Sequence, residues 1–475
     1  MSELQRRRTK IVATVGPASR EVETLVELIE AGADVFRLNF SHGTAEEHVE
    51  NIERIREASE RTGKWVGILG DLPGPKIRLG EVGEGRARLN TGHEVTLTTE
   101  ETDGDSERLA VAFDGLPDAV EKGDPIYLAD GRVQLRAIEV GDGEIKCEVV
   151  AGGTVASHQG VNLPGSESGL PAAGEDDLDW CDFAVEHEVD LLAVSFVRSV
   201  ADLEPVHERI DALDSDIPLI AKIEKPRAAE HAGEIIDFCT SGIMVARGDL
   251  GIELPIEEVP ATQKMLIREA GLRAKPSITA TQMLASMVES DRPTRAEVTD
   301  IANAIHDGTD AIMLSEETAV GEHPAEAIRT MVRVARETER DLPYEEWLRE
   351  RMGISATDVA AAVAQSAVAT TYRLGLAAII VPTRSGRTAR LVSSCRPRVP
   401  VLAISPREET VRRMNLLFGV SCVLHENWEH LHEMLGACAE IARREGFADE
   451  GDLVAVTAGL PSAKLGTNLF EVHRV

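Results

Sequence analysis

Eight short apolar runs recur along this chain with amphipathic helical stretches between them, and that alternation restricts its fold more than any other feature. The runs are KIVATVG (10–16), DVFRLNFS (34–41), KWVGILGDL (64–72), DLLAVSF (190–196), PLIAKIE (218–224), GIMVARGDL (242–250), PSITATQML (276–284) and AIMLSEET (311–318). Helical patterns such as EVETLVELIEAG and PAEAIRTMVRVARETE fall between most of them. Continuous Val/Ile/Leu strands alternating with helices mean a parallel sheet covered by helices. Eight such units predict a (β/α)8 barrel of the TIM type, an α/β fold whose active site gathers at the C-terminal ends of the strands. Those ends carry Arg37, Asn39, Ser41, Asp71, Lys222, Glu224, Asp249, Thr281 and Ser315.

The pattern breaks between the third and fourth units. From about 77 to 161, Gly-rich turns separate short alternating runs such as HEVTLTTE, GRVQLRAIEV and EIKCEVV. This reads as a small β-barrel domain inserted in a βα loop, placed to act as a lid. After 341 the strands AAIIVPT, PVLAIS, SCVLHE and DLVAVTAG alternate with helical stretches, which predicts a smaller open α/β domain. The expected division is 1–76 with 162–340 for the barrel, 77–161 for the lid and 341–475 for the C-terminal domain. Within the last, Thr383, Arg384, Ser385, Gly386, Arg387 and Thr388 join a strand to a helix. A phosphate-binding loop and an ordinary strand-to-helix turn fit this stretch equally well.

With 43% apolar residues in 475, the chain can bury a large core, and with 3% aromatics that core is mostly aliphatic. The net charge of −32 argues against nucleic acid as a partner. Arginine outnumbers lysine, so the acidic surface fits solvation in concentrated (halophilic) salt, where the Debye length shrinks to about 3 Å at 1 M. An ordinary acidic soluble protein fits as well. Six scattered cysteines without CxxC or zinc spacing read as reduced thiols of a cytoplasmic protein. The N-terminus shows no signal-peptide h-region, and no apolar run of 18 residues suggests a membrane span.

Alternation in PLIAKIE puts Lys222 and Glu224 on one strand face. With Asp249 one strand further on, the two carboxylates suit Mg²⁺, which takes one or two and leaves its other positions to water and phosphate. Lys222 then stands where charge develops on a transferring group. The alternative is a buried Lys–Glu ion pair without chemistry. Arg37, Asn39 and Ser41 also share a face; the arginine suits phosphate, although Ser41 or Thr44 alone reads as a helix cap. Lys76 and Arg78 bring positive charge beside Asp71 at the lid hinge, either to meet nucleotide phosphates or as a plain salt-bridged hinge. Backbone N–H groups around Gly248 and Asp249 suit a small carboxylate, and the Thr281 hydroxyl suits a proton relay or merely a neighbouring carbonyl.

Taken together, TVGPAS (14–19), RLNFSHG (37–43), KIEKP (222–226), ARGDLG (246–251), ATQML (280–284), SDRPTRAE (290–297) and DGTDAIMLSEETA (307–319) resemble pyruvate kinase over nearly the whole chain. The resemblance implies phosphoryl transfer from phosphoenolpyruvate to ADP, giving pyruvate and ATP in glycolysis, with Mg²⁺ or Mn²⁺. It assigns Lys222 to the transition state, Glu224 and Asp249 to the metal, and Arg37 to phosphate. Thr281 and the Gly248–Asp249 backbone are assigned to substrate, and Arg78 with Asn39, Ser41 and His42 to nucleotide phosphates. It also implies a homotetramer whose C-terminal domain binds a phosphorylated effector at 383–388.

Five residues at three places depart from the family pattern. Leu72 and Lys76 resemble the K⁺-independent, archaeal-like branch, so K⁺ is not expected as a cofactor although Asn39, Ser41 and Asp71 of the monovalent-ion region remain. Glu316 replaces a common glycine and puts the backbone after the eighth strand in question. His158–Gln159 replaces a lysine pair and weakens the expected lid-to-nucleotide contact. Two other readings compete: a metal-dependent aldolase or lyase barrel, and a non-catalytic metabolite-binding regulator.

Overall fold

The computed structural model describes residues 6–475 apart from 76, 130, 166–170, 240, 353–357, 429 and 460–465. Each apolar run contains one barrel strand: Lys10–Thr14, Val35–Asn39, Gly67–Asp71, Leu191–Val194, Leu219–Ile223, Gly242–Ala246, Ser277–Ala280 and Ala311–Leu314. All pair in parallel, and the first strand closes on the eighth with Lys10 opposite Ala311. The helices between them bury one face each. In Ala45–Thr62, Thr44 and Glu47 form a capping box at the start, and Gly63 in the left-handed region ends the last turn. The cap is therefore Thr44 and not Ser41, which leaves Ser41 at the rim. One glycine is obligatory for close packing: a Cβ on Gly242, at φ +116°, would lie 2.0 Å from the Pro276 carbonyl oxygen.

Inside the barrel Val12, Val35, Leu69, Ile220, Met244 and Ile278 form one aliphatic cluster. Period-two alternation then fixes what stands above them: Arg37 two residues past Val35, Asp71 two past Leu69, and Lys222 and Glu224 two and four past Ile220. The same strand faces that make a dry core below make a polar rim above.

The inserted segment forms a six-stranded sheet and a two-stranded sheet around a core of its own. The C-terminal region forms a five-stranded sheet in which Val420–Leu424, Val401–Ser405, Ala378–Pro382 and Leu453–Ala458 are parallel and Leu469–Arg474 is antiparallel. This region is seated under the barrel. Leu416 joins the cluster inside the barrel. Asp190, just before the fourth strand, accepts from Arg412 Nε at 2.7 Å and from Arg56 Nη2 at 3.0 Å. Asp310, just before the eighth, accepts from Arg396 Nη1 at 2.6 Å. Among the described residues no helix is long and apolar enough to cross a membrane.

Candidate active site

Arg37, Asp71, Lys222 and Glu224 meet at the rim. Asp71, at the end of the third strand, is buried to 1%. Its Oδ2 accepts from Arg37 Nε at 2.6 Å, and its Oδ1 lies 3.3 Å from Lys222 Nζ. Lys222 Nζ also lies 2.9 Å from Glu224 Oε1 and donates to Ser195 Oγ at 2.7 Å. Arg37 reaches back to Thr14 Oγ1 at 3.2 Å, and that hydroxyl donates to the Leu314 carbonyl at 2.8 Å. The first, second, third, fifth and eighth strands are thus tied by one polar chain. Burial alone would pull the Lys222 ammonium down, but the Asp71 and Glu224 carboxylates outweigh it and hold its pKa above the usual lysine value. Burial likewise pushes Asp71 up, and the charges of Lys222 and Arg37 more than reverse it, so Asp71 stays ionised well below the carboxylate range.

Glu224 is also 1% exposed. Its Oε2 accepts the Phe196 N–H at 2.8 Å, while Oε1 makes no directed hydrogen bond among the described residues. Asp249 lies on the short helix Arg247–Glu253 after the sixth strand, and its charge acts on Lys222. Glu224 and Asp249 are both hard oxygen donors, and the buried Glu224 Oε1 faces the Lys222 ammonium. That donor set fits Mg²⁺, which needs only one or two protein carboxylates. Among the described residues no group of three or more potential ligands gathers at the rim or anywhere else, so the fit rests on these two carboxylates. The set Arg37, Lys222, Asp71, Glu224 and Asp249 carries one net negative charge, and a divalent cation makes it positive toward anionic substrates.

Thr281 follows the seventh strand in the left-handed region, at φ +70°, with Gln282 at +54°. A β-branched residue there costs about 1–3 kcal/mol and persists only where its surroundings hold it. Arg247 is what holds it: Nη2 donates to the Thr281 carbonyl at 2.8 Å, and Nη1 pairs with Asp300 at 2.8 Å. Thr281 Oγ1 in turn accepts the Gly248 N–H at 2.8 Å and donates to the Ala280 carbonyl at 2.7 Å. The Gly248 N–H is therefore already used, unlike the free donor expected from ARGD.

The rest of the predicted set is more dispersed. Asn39 Oδ1 accepts the Ser41 N–H at 3.3 Å, and the exposed His42 accepts through its carbonyl from His48 Nε2 at 2.9 Å. Arg78 is not beside Asp71. Its Nη1 donates to the His158 carbonyl at 3.0 Å across the base of the inserted segment, and it shares a cleft of about 680 Å³ with Ser41 and Phe40. Lys76 lies outside the described residues. Glu316 creates no backbone problem, because it is exposed, starts the short helix Glu316–Ala319 and has no positive φ. His158 does take φ +61° and pairs with Glu81 at 3.1 Å.

In the C-terminal domain Thr383, Arg384, Ser385, Arg387 and Thr388 line a pocket of about 360 Å³ with Trp428. Gly386, at φ +76°, is the N-cap of Arg387–Ser394 and donates its N–H to Thr383 Oγ1 at 3.0 Å. Ser195, Thr14 and Arg247 were not singled out by sequence reasoning. Ser195 had a usable signal, being polar at the end of the fourth apolar run.

A family model for the pyruvate kinase barrel domain matches residues 6–328, and one for the pyruvate kinase alpha/beta domain matches residues 361–473. The pyruvate kinase of Geobacillus stearothermophilus is 43% identical over 472 residues, covering 98% of this chain and 80% of that protein. The pyruvate kinase of Thermococcus litoralis is 41% identical over 479 residues and covers 100% of both. A solved structure of a pyruvate kinase from Cryptosporidium parvum superposes with a TM-score of 0.93 at 35% identity, over 99% of this chain and 97% of that one. A shared barrel, a shared C-terminal domain and identity spread over the full length make this chain a member of the pyruvate kinase family of phosphotransferases.

Proposed function

We propose that this enzyme transfers the phosphoryl group of phosphoenolpyruvate to ADP, as the last step of glycolysis in the cytoplasm. The observation that carries the reading is the convergence of Lys222 and Arg37 on Asp71, with Glu224 Oε1 2.9 Å from the ammonium. In the reaction the ester P–O bond breaks and a terminal oxygen of ADP bonds to phosphorus. The electron pair left on the enol oxygen gives an enolate, which gains a proton at its methylene carbon to become pyruvate.

Arg37 offers its guanidinium fork to the phosphoryl oxygens. Lys222, held charged, faces the negative charge that grows on them. Glu224 and Asp249 would hold Mg²⁺ or Mn²⁺, which when bound neutralises charge on the transferring group. Thr281 and Asp249 position the carboxylate end of the substrate, with Gly248 held in place by its N–H bond to the Thr281 hydroxyl. Arg78, Asn39, Ser41 and His42 meet nucleotide phosphates as the lid (77–161) closes. Leu72 and Lys76 make K⁺ dispensable. The basic, hydroxyl-rich pocket at 383–388 takes a phosphorylated effector, the enzyme works as a homotetramer, and the net charge of −32 suits a salt-rich cytosol.

ATP formation from phosphoenolpyruvate and ADP, read by a coupled assay, tests the reading. Lys222→Met should lower kcat by about 10³-fold while equilibrium binding of phosphoenolpyruvate stays measurable. Unaltered turnover in that variant refutes the role of Lys222, and no ATP from the parent enzyme refutes the activity.

A further inference from the structure

The inserted segment leaves the barrel after the third strand and returns before the helix Glu175–Glu186, and one buried carboxylate holds both chains. Asp177 Oδ1 accepts the Gly74 N–H at 2.8 Å, and Oδ2 accepts the Gly174 N–H at 2.9 Å. The bond to Gly174 is ordinary capping, an acidic residue of the first helical turn reaching back to the N-cap. The bond to Gly74 is not, for it crosses 103 positions to a turn that no helix start requires. Asp177 is 4% exposed, and burial pushes its carboxyl above the usual range although both N–H bonds pull it down. A neutral cap would avoid that cost but could not accept from both chains.

Gly74 is wedged from its other side. It takes φ +66°, and a Cβ there would lie 2.7 Å from Phe196 Cδ2 and 2.9 Å from Ser195 Cβ. Phe196 is itself left-handed, at φ +55°, a conformation that an aromatic residue keeps only where its surroundings hold it. Its N–H donates to Glu224 Oε2 at 2.8 Å, and Ser195 Oγ meets Lys222 Nζ and the Leu72 carbonyl, both at 2.7 Å. Ser195 and Phe196 are thus fixed by the rim, and they form a stop against which Gly74 rests. Arg78 stands four residues further along the chain.

We propose that Asp177 is a positioning residue for phosphoryl transfer: its carboxylate clamps the outgoing and returning chains of the inserted segment against the Ser195–Phe196 stop, and so sets where Arg78 stands relative to Lys222. This rests on the reading of 77–161 as a lid and of Arg78 as a nucleotide contact. Hinge residues far from the chemistry act through such placement, and a shift of about 1 Å can cost about 10²-fold. Phosphoenolpyruvate is spared, because Arg37, Lys222 and Thr281 are tied by bonds that do not involve Asp177.

The test is Asp177→Asn, which keeps the shape but offers one acceptor oxygen to two N–H donors. In the variant shown to be folded by its thermal midpoint, KM for ADP should rise at least about tenfold, while equilibrium binding of phosphoenolpyruvate stays within about twofold of the parent. If the asparagine variant does not fold, Asp177→Glu, which keeps the charge and displaces the carboxylate, is read in the same way. An unchanged KM for ADP overturns the proposal. Equal losses for both substrates mark a general loosening of the fold and overturn it too. A parent enzyme that forms no ATP overturns the catalytic reading and this role with it, an outcome distinct from an active parent indifferent to Asp177.

Discussion

Ser195 Oγ lies 2.7 Å from Lys222 Nζ, and the serine directs that ammonium by spending its own proton on the Leu72 carbonyl, also at 2.7 Å. The hydroxyl is an acceptor toward the lysine because its donor is already used. Ser195 is 1% exposed, so no water replaces it. Hydrogen bonds to charged groups contribute about 1.5–3 kcal/mol. Ser195→Ala should therefore lower kcat by about 10- to 100-fold, with KM for phosphoenolpyruvate changed by less than about threefold if the serine aims the lysine rather than binding substrate. Steady-state kinetics decide; an unchanged kcat removes Ser195 from the site's support.

Thr281 is held in the left-handed region so that its hydroxyl can accept the Gly248 N–H at 2.8 Å. Thr281→Val keeps the shape and orphans that donor, at a cost of about 1–3 kcal/mol. Activity should fall by about 10- to 100-fold, while Thr281→Ser should stay close to the parent. If valine and serine behave alike, the hydroxyl has no role.

Asp71 links the site to acid stability. Burial raises its pKa, but Lys222 and then Arg37 bring it below the usual value in the folded chain. A depressed carboxylate contributes stability above its unfolded pKa of about 3.9, and that contribution is lost as pH falls through the folded value. Urea midpoints of the parent should exceed those of Asp71→Asn at neutral pH, and the gap should shrink steadily below about pH 4. A gap that does not change with pH contradicts the linkage.

The proposed dispensability of K⁺ rests on Leu72 and Lys76. The Leu72 side chain is apolar and buried, and its carbonyl is occupied by Ser195. Rates measured in a K⁺-free, Tris-based buffer should retain most of the activity seen with added K⁺. Near-complete dependence on K⁺ rules the idea out.

The barrel was legible because parallel strands buried on both faces leave continuous aliphatic runs, and each of the eight runs holds one strand. Lys222 and Glu224 were legible for a local reason, since alternation over three residues needs no knowledge of the fold. What escaped was long-range pairing. Arg78 was read beside Asp71 because it is near in sequence, whereas in space Asp71 meets Arg37 and Lys222, 34 and 151 positions away. Arg247 was given no role within ARGDLG, and its bond to the left-handed Thr281 is visible only in space. The floor left a signal that went unread. Asp34, Asp190 and Asp310 each stand one residue before a barrel strand, and each receives an arginine, namely Arg7, Arg412 and Arg396.

Leu416 gives that floor a further meaning. A leucine from the C-terminal domain completes the lowest layer of packing inside the catalytic cylinder, so the cylinder lacks a bottom of its own. Cutting the chain near 340 would leave that apolar layer open to solvent.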